Sequence, residues 1–88
     1  MKTEIEILQG IRRYITTSAS MNNNELDDNM LIFNLGLLDS MGLLFLIDFI
    51  KEEYNLEVMD SELVEENFES VKNIASFVYK KLQNEINS

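Results

Sequence analysis

Apolar residues return at three- and four-residue spacing in three stretches of this chain, and polar runs separate the stretches. In the first, Ile5, Leu8, Ile11 or Arg12, and Ile15 recur with Glu4, Glu6, Gln9 and Arg13 between them. Side chains three or four apart share a helix face, so this spacing predicts an amphipathic helix over residues 3 to 17. In the second, Leu43, Leu46, Ile47, Ile50 and Tyr54 form a stripe, while Asp48, Lys51, Glu52 and Glu53 mark a solvated face. That predicts a helix from Ser40 to Tyr54, stopped at Asn55, a residue type that tolerates the left-handed cap conformation. In the third, Val71, Ile74, Ala75, Val78 and Leu82 make the stripe of a helix capped by Ser70. Lys80 and Lys81 are placed in its last turns, where cations suit the helix dipole.

The connections are polar and uneven in length. From Thr16 to Asn29 the chain reads as loop, because Ser18, Ser20, Asn22, Asn23 and Asn24 favour turns over helix. A connection of this length is either functional or packed by its own side chains. Within it, Met30-Leu31-Ile32-Phe33 predicts a single helical turn plugging one end of a bundle, before Asn34 and Gly36 punctuate the chain. Leu56-Glu57-Val58 reads as extended, and Asp60 or Ser61 caps a short third helix, Glu62 to Glu66. With no Pro and only three Gly, few breakers interrupt this pattern. The expectation is an all-α fold, a small four-helix bundle of three longer helices plus a short third one. Only helix-on-helix packing buries such stripes.

Composition narrows the functional classes. The 88 residues make a single domain, residues 1–88, too short for two independent cores. Sixteen acidic residues against seven basic give a net charge of −9. That field repels nucleic acid and anionic membranes and favours partners with basic patches. The chain has no Cys and no His, so thiol chemistry, imidazole general-base catalysis and the usual zinc ligands are absent. Met1 to Glu6 carry no positive region leading into an apolar block, so a secretory leader is not expected. The apolar run from Met41 to Ile47 is broken by Asp48 and too short to span a bilayer. A soluble cytoplasmic protein follows as the expectation.

One serine stands out against this background. Leu35-Gly36-Leu37-Leu38-Asp39-Ser40-Met41 leads directly into the second helix. If Asp39 caps that helix, Ser40 is its first residue, with its hydroxyl directed to solvent at the positive end of the dipole. An anionic group attached there would be stabilised. The plainer alternative makes Ser40 itself the cap, the commoner role for serine at a helix start. Gly42 lies in the first turn, where Glu or Gln could have completed a capping box. Its use suggests that close approach to the helix start matters. Leu44, Phe45 and Phe49 extend the apolar character of this helix beyond its core stripe. Either they form a partner surface or this is simply the most buried helix.

These residues, in this order, resemble the signature of acyl carrier proteins and the related peptidyl and D-alanyl carrier proteins. Gly36, Asp39, Ser40 and Met41 match its Gly and its Asp-Ser-Leu or Asp-Ser-Met. The likeness covers nearly the whole chain and closes on Asn67-Phe68-Glu69-Ser70-Val71-Lys72-Asn73-Ile74, similar to the family's entry into helix four. The resemblance implies 4′-phosphopantetheine on Ser40, attached from coenzyme A by a phosphopantetheinyl transferase. The arm would supply the thiol that the sequence lacks and carry an acyl or aminoacyl group as a thioester. The chain would then be a monomeric carrier and not an enzyme. It would serve a loading enzyme, either an adenylating ligase or an acyltransferase, and an acceptor synthase or transferase. Fatty-acid carriers typically bear acids early in helix two, where this chain has Gly42, Leu43, Leu44 and Phe45. Asp39-Ser40-Met41-Gly42 is more similar to D-alanyl carriers and standalone carriers, so a specialised role is expected over a housekeeping one.

Other chemistry finds less support. Glu25, Asp27 and Asp28 cluster in the long loop, yet an EF-hand frame starting at Asp28 puts Phe33 where Gly is needed. The carboxylate pairs Glu52-Glu53 and Glu65-Glu66 have no evident neighbour to split their pKa values, so acid–base catalysis is not expected. The competing reading from a different class is an unmodified acidic helical adaptor that binds a basic partner through the apolar face of helix two.

Overall fold

In the computed structural model of the chain, which describes residues 3–22 and 25–87 with side chains through residue 84, Thr3 opens the first helix by a reciprocal cap. Its hydroxyl accepts from the Glu6 N–H at 3.2 Å, and the Glu6 carboxylate accepts from the Thr3 N–H at 3.1 Å. Two otherwise orphaned helix-end donors are thereby satisfied. This helix, α1, runs Glu4–Ser18; α2 runs Ser40–Tyr54, α3 Glu65–Phe68 and α4 Val71–Asn87. The architecture is all-helical, and no strand occurs among the described residues.

Helix α1 buries Ile7, Ile11, Ile15 and Thr16. This corrects the stripe expected from spacing, because Ile5 is 70% exposed while Ile7 is fully buried. Two apolar series share Ile11 and Ile15, and the helix packed against them selects one; α1 packs most closely on α4. Thr16, which the helix span and the polar run both claim, is helical and buried. Its hydroxyl donates to the carbonyls of Arg12 at 2.9 Å and Arg13 at 3.1 Å, which lets a polar side chain sit in the core. Helix α2 joins α1 through long side chains. Tyr14 of α1 stacks on Phe49 at 4.5 Å, and the Tyr54 hydroxyl reaches the Ile7 carbonyl at 3.5 Å.

The connection between α1 and α2 is packed by its own residues: Leu26, Ile32 and Leu38 are buried. Arg12 of α1 pairs with Asp28. The Lys72 N–H donates to the Asp28 carbonyl at 3.0 Å, and the Ile32 N–H to the Glu69 carbonyl at 2.9 Å. The loop is thus tied to α1 and to the start of α4. Residues 31–37 form a helical-type turn, closed by Leu35 N–H to the Leu31 carbonyl at 3.1 Å. Only part of that turn plugs the core, since Ile32 is buried and Leu31 is exposed. Asn23 and Asn24, counted above among the turn formers, and Met1 and Lys2 lie outside the described residues.

Two boundaries differ from expectation. The segment expected as one helix over Glu62 to Glu66 is two pieces, a 3-10 turn at Asp60–Glu62 and then α3. Leu63 and Val64 break it, Val64 having extended backbone at φ −109° and ψ 149°. Ser70 caps α4 as expected, its hydroxyl accepting from the Asn73 N–H at 3.2 Å. But α4 continues to Asn87, so its last turn holds no basic residue. Lys80 and Lys81 sit further back on the helix, and Lys81 instead reaches across to Glu62 at 2.7 Å. No helix among the described residues is long and apolar enough to cross a membrane.

Candidate functional site

The approach to Ser40 is held from below by apolar packing and from within by a tight turn. Gly36 adopts φ +72°, a left-handed conformation that side chains on Cβ disfavour. Its N–H donates to the Phe33 carbonyl, and the Leu37 N–H to the Ile32 carbonyl, at 3.1 and 3.0 Å. Leu38 then inserts into the core, and Asp39 and Ser40 emerge exposed immediately after it.

Asp39, not Ser40, is the cap of α2. Its backbone is extended, and Oδ1 accepts from the Gly42 N–H at 2.7 Å. Ser40 is therefore the first helical residue, and its hydroxyl is released from capping. It stands on the positive end of a helix whose first turn contains no acidic side chain. The glycine at 42 answers to its own neighbours: a Cβ there would lie 2.9 Å from Leu38 Cδ1 and 3.2 Å from Asp39 Oδ1. The close approach involves the anchor and the cap.

Two hollows flank this helix end. One, about 240 Å³ and mostly apolar, is lined by Phe33, Leu43, Leu63, Val64 and Phe68. Leu43 follows Ser40 by three residues, so both lie on one face of α2. The other, about 380 Å³, runs between Tyr14 and Ser18 of α1 and Met41 and Phe45 of α2. The solvent face of α2 near Ser40 is apolar, with Met41, Leu44 and Phe45 all more than half exposed. Phe49 does not belong to that face, because its ring is stacked on Tyr14. Asp48, Glu52 and Glu53 restore acidity further along the helix.

The remaining polar groups do other work. Asp27 accepts from the Asn29 N–H at 2.9 Å and Asp28 pairs with Arg12, so both close the loop. Among the described residues no three acidic side chains converge as a metal-holding group. Among the described residues, Tyr54 and Glu62 titrate away from their ordinary range. Burial, with a contribution from the Glu53 charge, pushes the Tyr54 phenol up. Burial would also raise Glu62, but hydrogen bonds from Lys81 and from the Met59 N–H, together with the Lys81 charge, hold its carboxyl below the ordinary value. Neither group adjoins Ser40 in sequence.

What remains at the helix start is an exposed primary hydroxyl with no imidazole anywhere in the chain and with its neighbouring carboxylate Oδ1 engaged by Gly42. Sequence spacing located Ser40 and the apolar helix face. It missed Leu63 and Val64, because a continuous third helix leaves no reason to single them out as a pocket wall. No protein-family model matches the chain, and no curated protein matches it.

Proposed function

We infer that the chain is an acyl or aminoacyl carrier that bears 4′-phosphopantetheine on Ser40. The observation that carries this reading is the division of labour at the start of α2. Asp39 takes the capping role and pairs the Gly42 N–H, which leaves the Ser40 hydroxyl exposed at a helix start whose first N–H groups have no partner within the helix. The donor set fits the group: a free hydroxyl for the phosphodiester, a positive helix end for its charge, and no side-chain thiol to compete with the arm's. When bound, the arm supplies a thiol on which an acyl or aminoacyl group rides as a thioester. The rest of the chain holds that group on a rigid helix end and raises its effective concentration at each partner enzyme.

In this reading the chain is not itself a catalyst, and it works in the cytoplasm as a monomer. A phosphopantetheinyl transferase modifies Ser40; an adenylating ligase or acyltransferase loads it, and a synthase or transferase unloads it. The apolar run Gly42 to Phe45, where an acidic docking edge would serve a housekeeping fatty-acid carrier, favours a specialised or standalone carrier. Intact mass after incubation with coenzyme A and a promiscuous phosphopantetheinyl transferase tests the assignment. A gain of one phosphopantetheine on wild type and none on Ser40→Ala is expected. An unchanged wild-type mass, or the same gain on the variant, would refute it.

The exposed face of Met41, Leu44 and Phe45 also favours a second reading, an unmodified acidic adaptor that docks a basic partner through α2. An adaptor isolated from its native cell would have its bare sequence mass and would keep its function as Ser40→Ala.

A further inference from the structure

We propose that Glu62 and Lys81 form a latch that positions the Leu63–Val64 wall of the apolar pocket beside α2, and so sets whether the pocket admits an apolar chain. The pocket has two unlike walls. Leu43 belongs to a regular helix, and Phe68, on the opposite side, is buried. Leu63 and Val64 belong to the break between the 3-10 turn and α3 and are 42% and 48% exposed. Burial alone therefore does little to hold them.

Backbone bonds hold them locally, from the Leu63 N–H to the Asp60 carbonyl and from the Asn67 N–H to the Val64 carbonyl, each at 3.1 Å, and a second set of polar ties converges on the preceding residue, Glu62. Its carboxylate accepts from the Met59 N–H at 2.8 Å and from Lys81 Nζ at 2.7 Å. Its carbonyl accepts from Asn67 Nδ2 at 2.8 Å, and its N–H donates to the Met59 carbonyl at 2.9 Å. The next residue, Leu63, is the first of the wall. Among the described residues, Lys81 is the one partner that brings α4 into this arrangement, nineteen residues along the chain.

The cation is itself placed by the pocket. Lys81 Nζ lies 5.8 Å from the centre of the Phe77 ring, and Phe77 packs against Phe68 with ring centres 5.3 Å apart. Glu62, Lys81, Phe77 and Phe68 thus make a continuous path from the wall, across α4, to the far side of the same pocket. A shift of Phe68 that widens the pocket would move Phe77 and with it the lysine that tethers the wall. Glu65 also lines the apolar pocket, while Glu66 from α3 and Lys80 from α4 line a separate polar hollow around the ion pair; only Lys81 is within ion-pair distance of Glu62 among the described residues.

The chain that the pocket admits is the carried acyl group if the carrier reading holds. The latch is tested on the unmodified protein, so either idea can fail without the other. Lys81→Met keeps the apolar stem over Phe77 and removes the charge; Glu62→Gln keeps an acceptor for Met59. Native-state amide exchange and methyl NMR report on each. Both variants should speed exchange at Glu62 and Leu63 by about three- to fivefold relative to core amides such as Ile11 and Ile74. Cross-peaks from Leu43 methyls to Leu63 and Val64 methyls should weaken together. Titration with 1-octanol should then perturb the Leu43 and Val64 methyls at lower alcohol concentration than in wild type. Unchanged cross-peaks and exchange in both variants would overturn the proposal. So would a uniform acceleration of all amides, which would make the pair a general stabiliser.

Discussion

Replacing Gly42 by Ala tests how the start of α2 is built. Helix propensity alone favours Ala over Gly by about 1 kcal/mol in a helix interior, and by less in the first turn. Against this, the new Cβ would sit 2.9 Å from Leu38 Cδ1, about half an ångström or more inside ordinary carbon–carbon contact. Leu38 is buried but also lines the hollow between α1 and α2, so its terminal methyl can give only toward that side. Overpacking of this kind costs about 1–3 kcal/mol, and a single methyl at the end of a side chain belongs at the low end. The same Cβ would press on Asp39 Oδ1 at 3.2 Å, the atom that accepts from the Gly42 N–H. Full loss of such a cap costs about 0.5–2 kcal/mol, and partial displacement a fraction of that. The sum is a net destabilisation of about 1 kcal/mol, read as a fall in melting temperature of about 4–8 °C for a domain of this size. Thermal and urea unfolding followed by circular dichroism measure it. In a Leu38→Ala background the obstructing methyl is gone, so adding Gly42→Ala should cost nothing or stabilise. A raised melting temperature in the wild-type background, or an equal cost in both backgrounds, would show that Gly42 is not there for close approach.

Phe45→Glu should change unfolding free energy by no more than about 0.5 kcal/mol, because the ring is 57% exposed. On the proposed carrier reading it should lower the rate at which a loading enzyme acts on the chain at subsaturating concentration; a variant that unfolds instead would place Phe45 in the fold's support. The acid limb of stability should depend on Glu62. Its carboxyl is held below the unfolded value of 4.5, so its contribution is complete above that pH and is lost as pH falls through the lower folded value. Wild type should therefore be more stable than Glu62→Gln at neutral pH, with the gap closing in acid; a gap that stays constant down to strongly acid pH would contradict this sign.

The second helix was the most legible element, and the reason is local. Its start depends on a bond between Asp39 and Gly42, three residues apart, and its end on Asn55 at φ 51° and ψ 51°. Both ends are written in neighbouring residues. The exposure of Ser40 follows from the same arithmetic once Asp39 is the cap. The first helix was legible in extent but not in orientation, since Ile5 and Ile7 each extend an apolar series through Ile11 and Ile15. The third helix was misread because Leu63 and Val64 give no breaker signal. The extended backbone of Val64 follows a turn closed by the Glu62 carboxylate on Met59 and tied to α4 by Lys81.

What the sequence determined by itself, then, is what short-range forces govern: the helical periodicity, the cap at Ser70, the left-handed stop at Asn55, and Asp39 and Ser40 as the two candidates for the cap of α2. What only the tertiary structure decided is which apolar residues face inward and which walls meet. Ile7 over Ile5, the burial of Leu26 and Ile32 in the long loop, and the pocket joining Phe33, Leu43, Leu63, Val64 and Phe68 each depend on segments far apart in the chain. Periodicity states that a helix has an apolar face. Only the neighbour that covers the face, by excluding water from it, selects the residues that count as core.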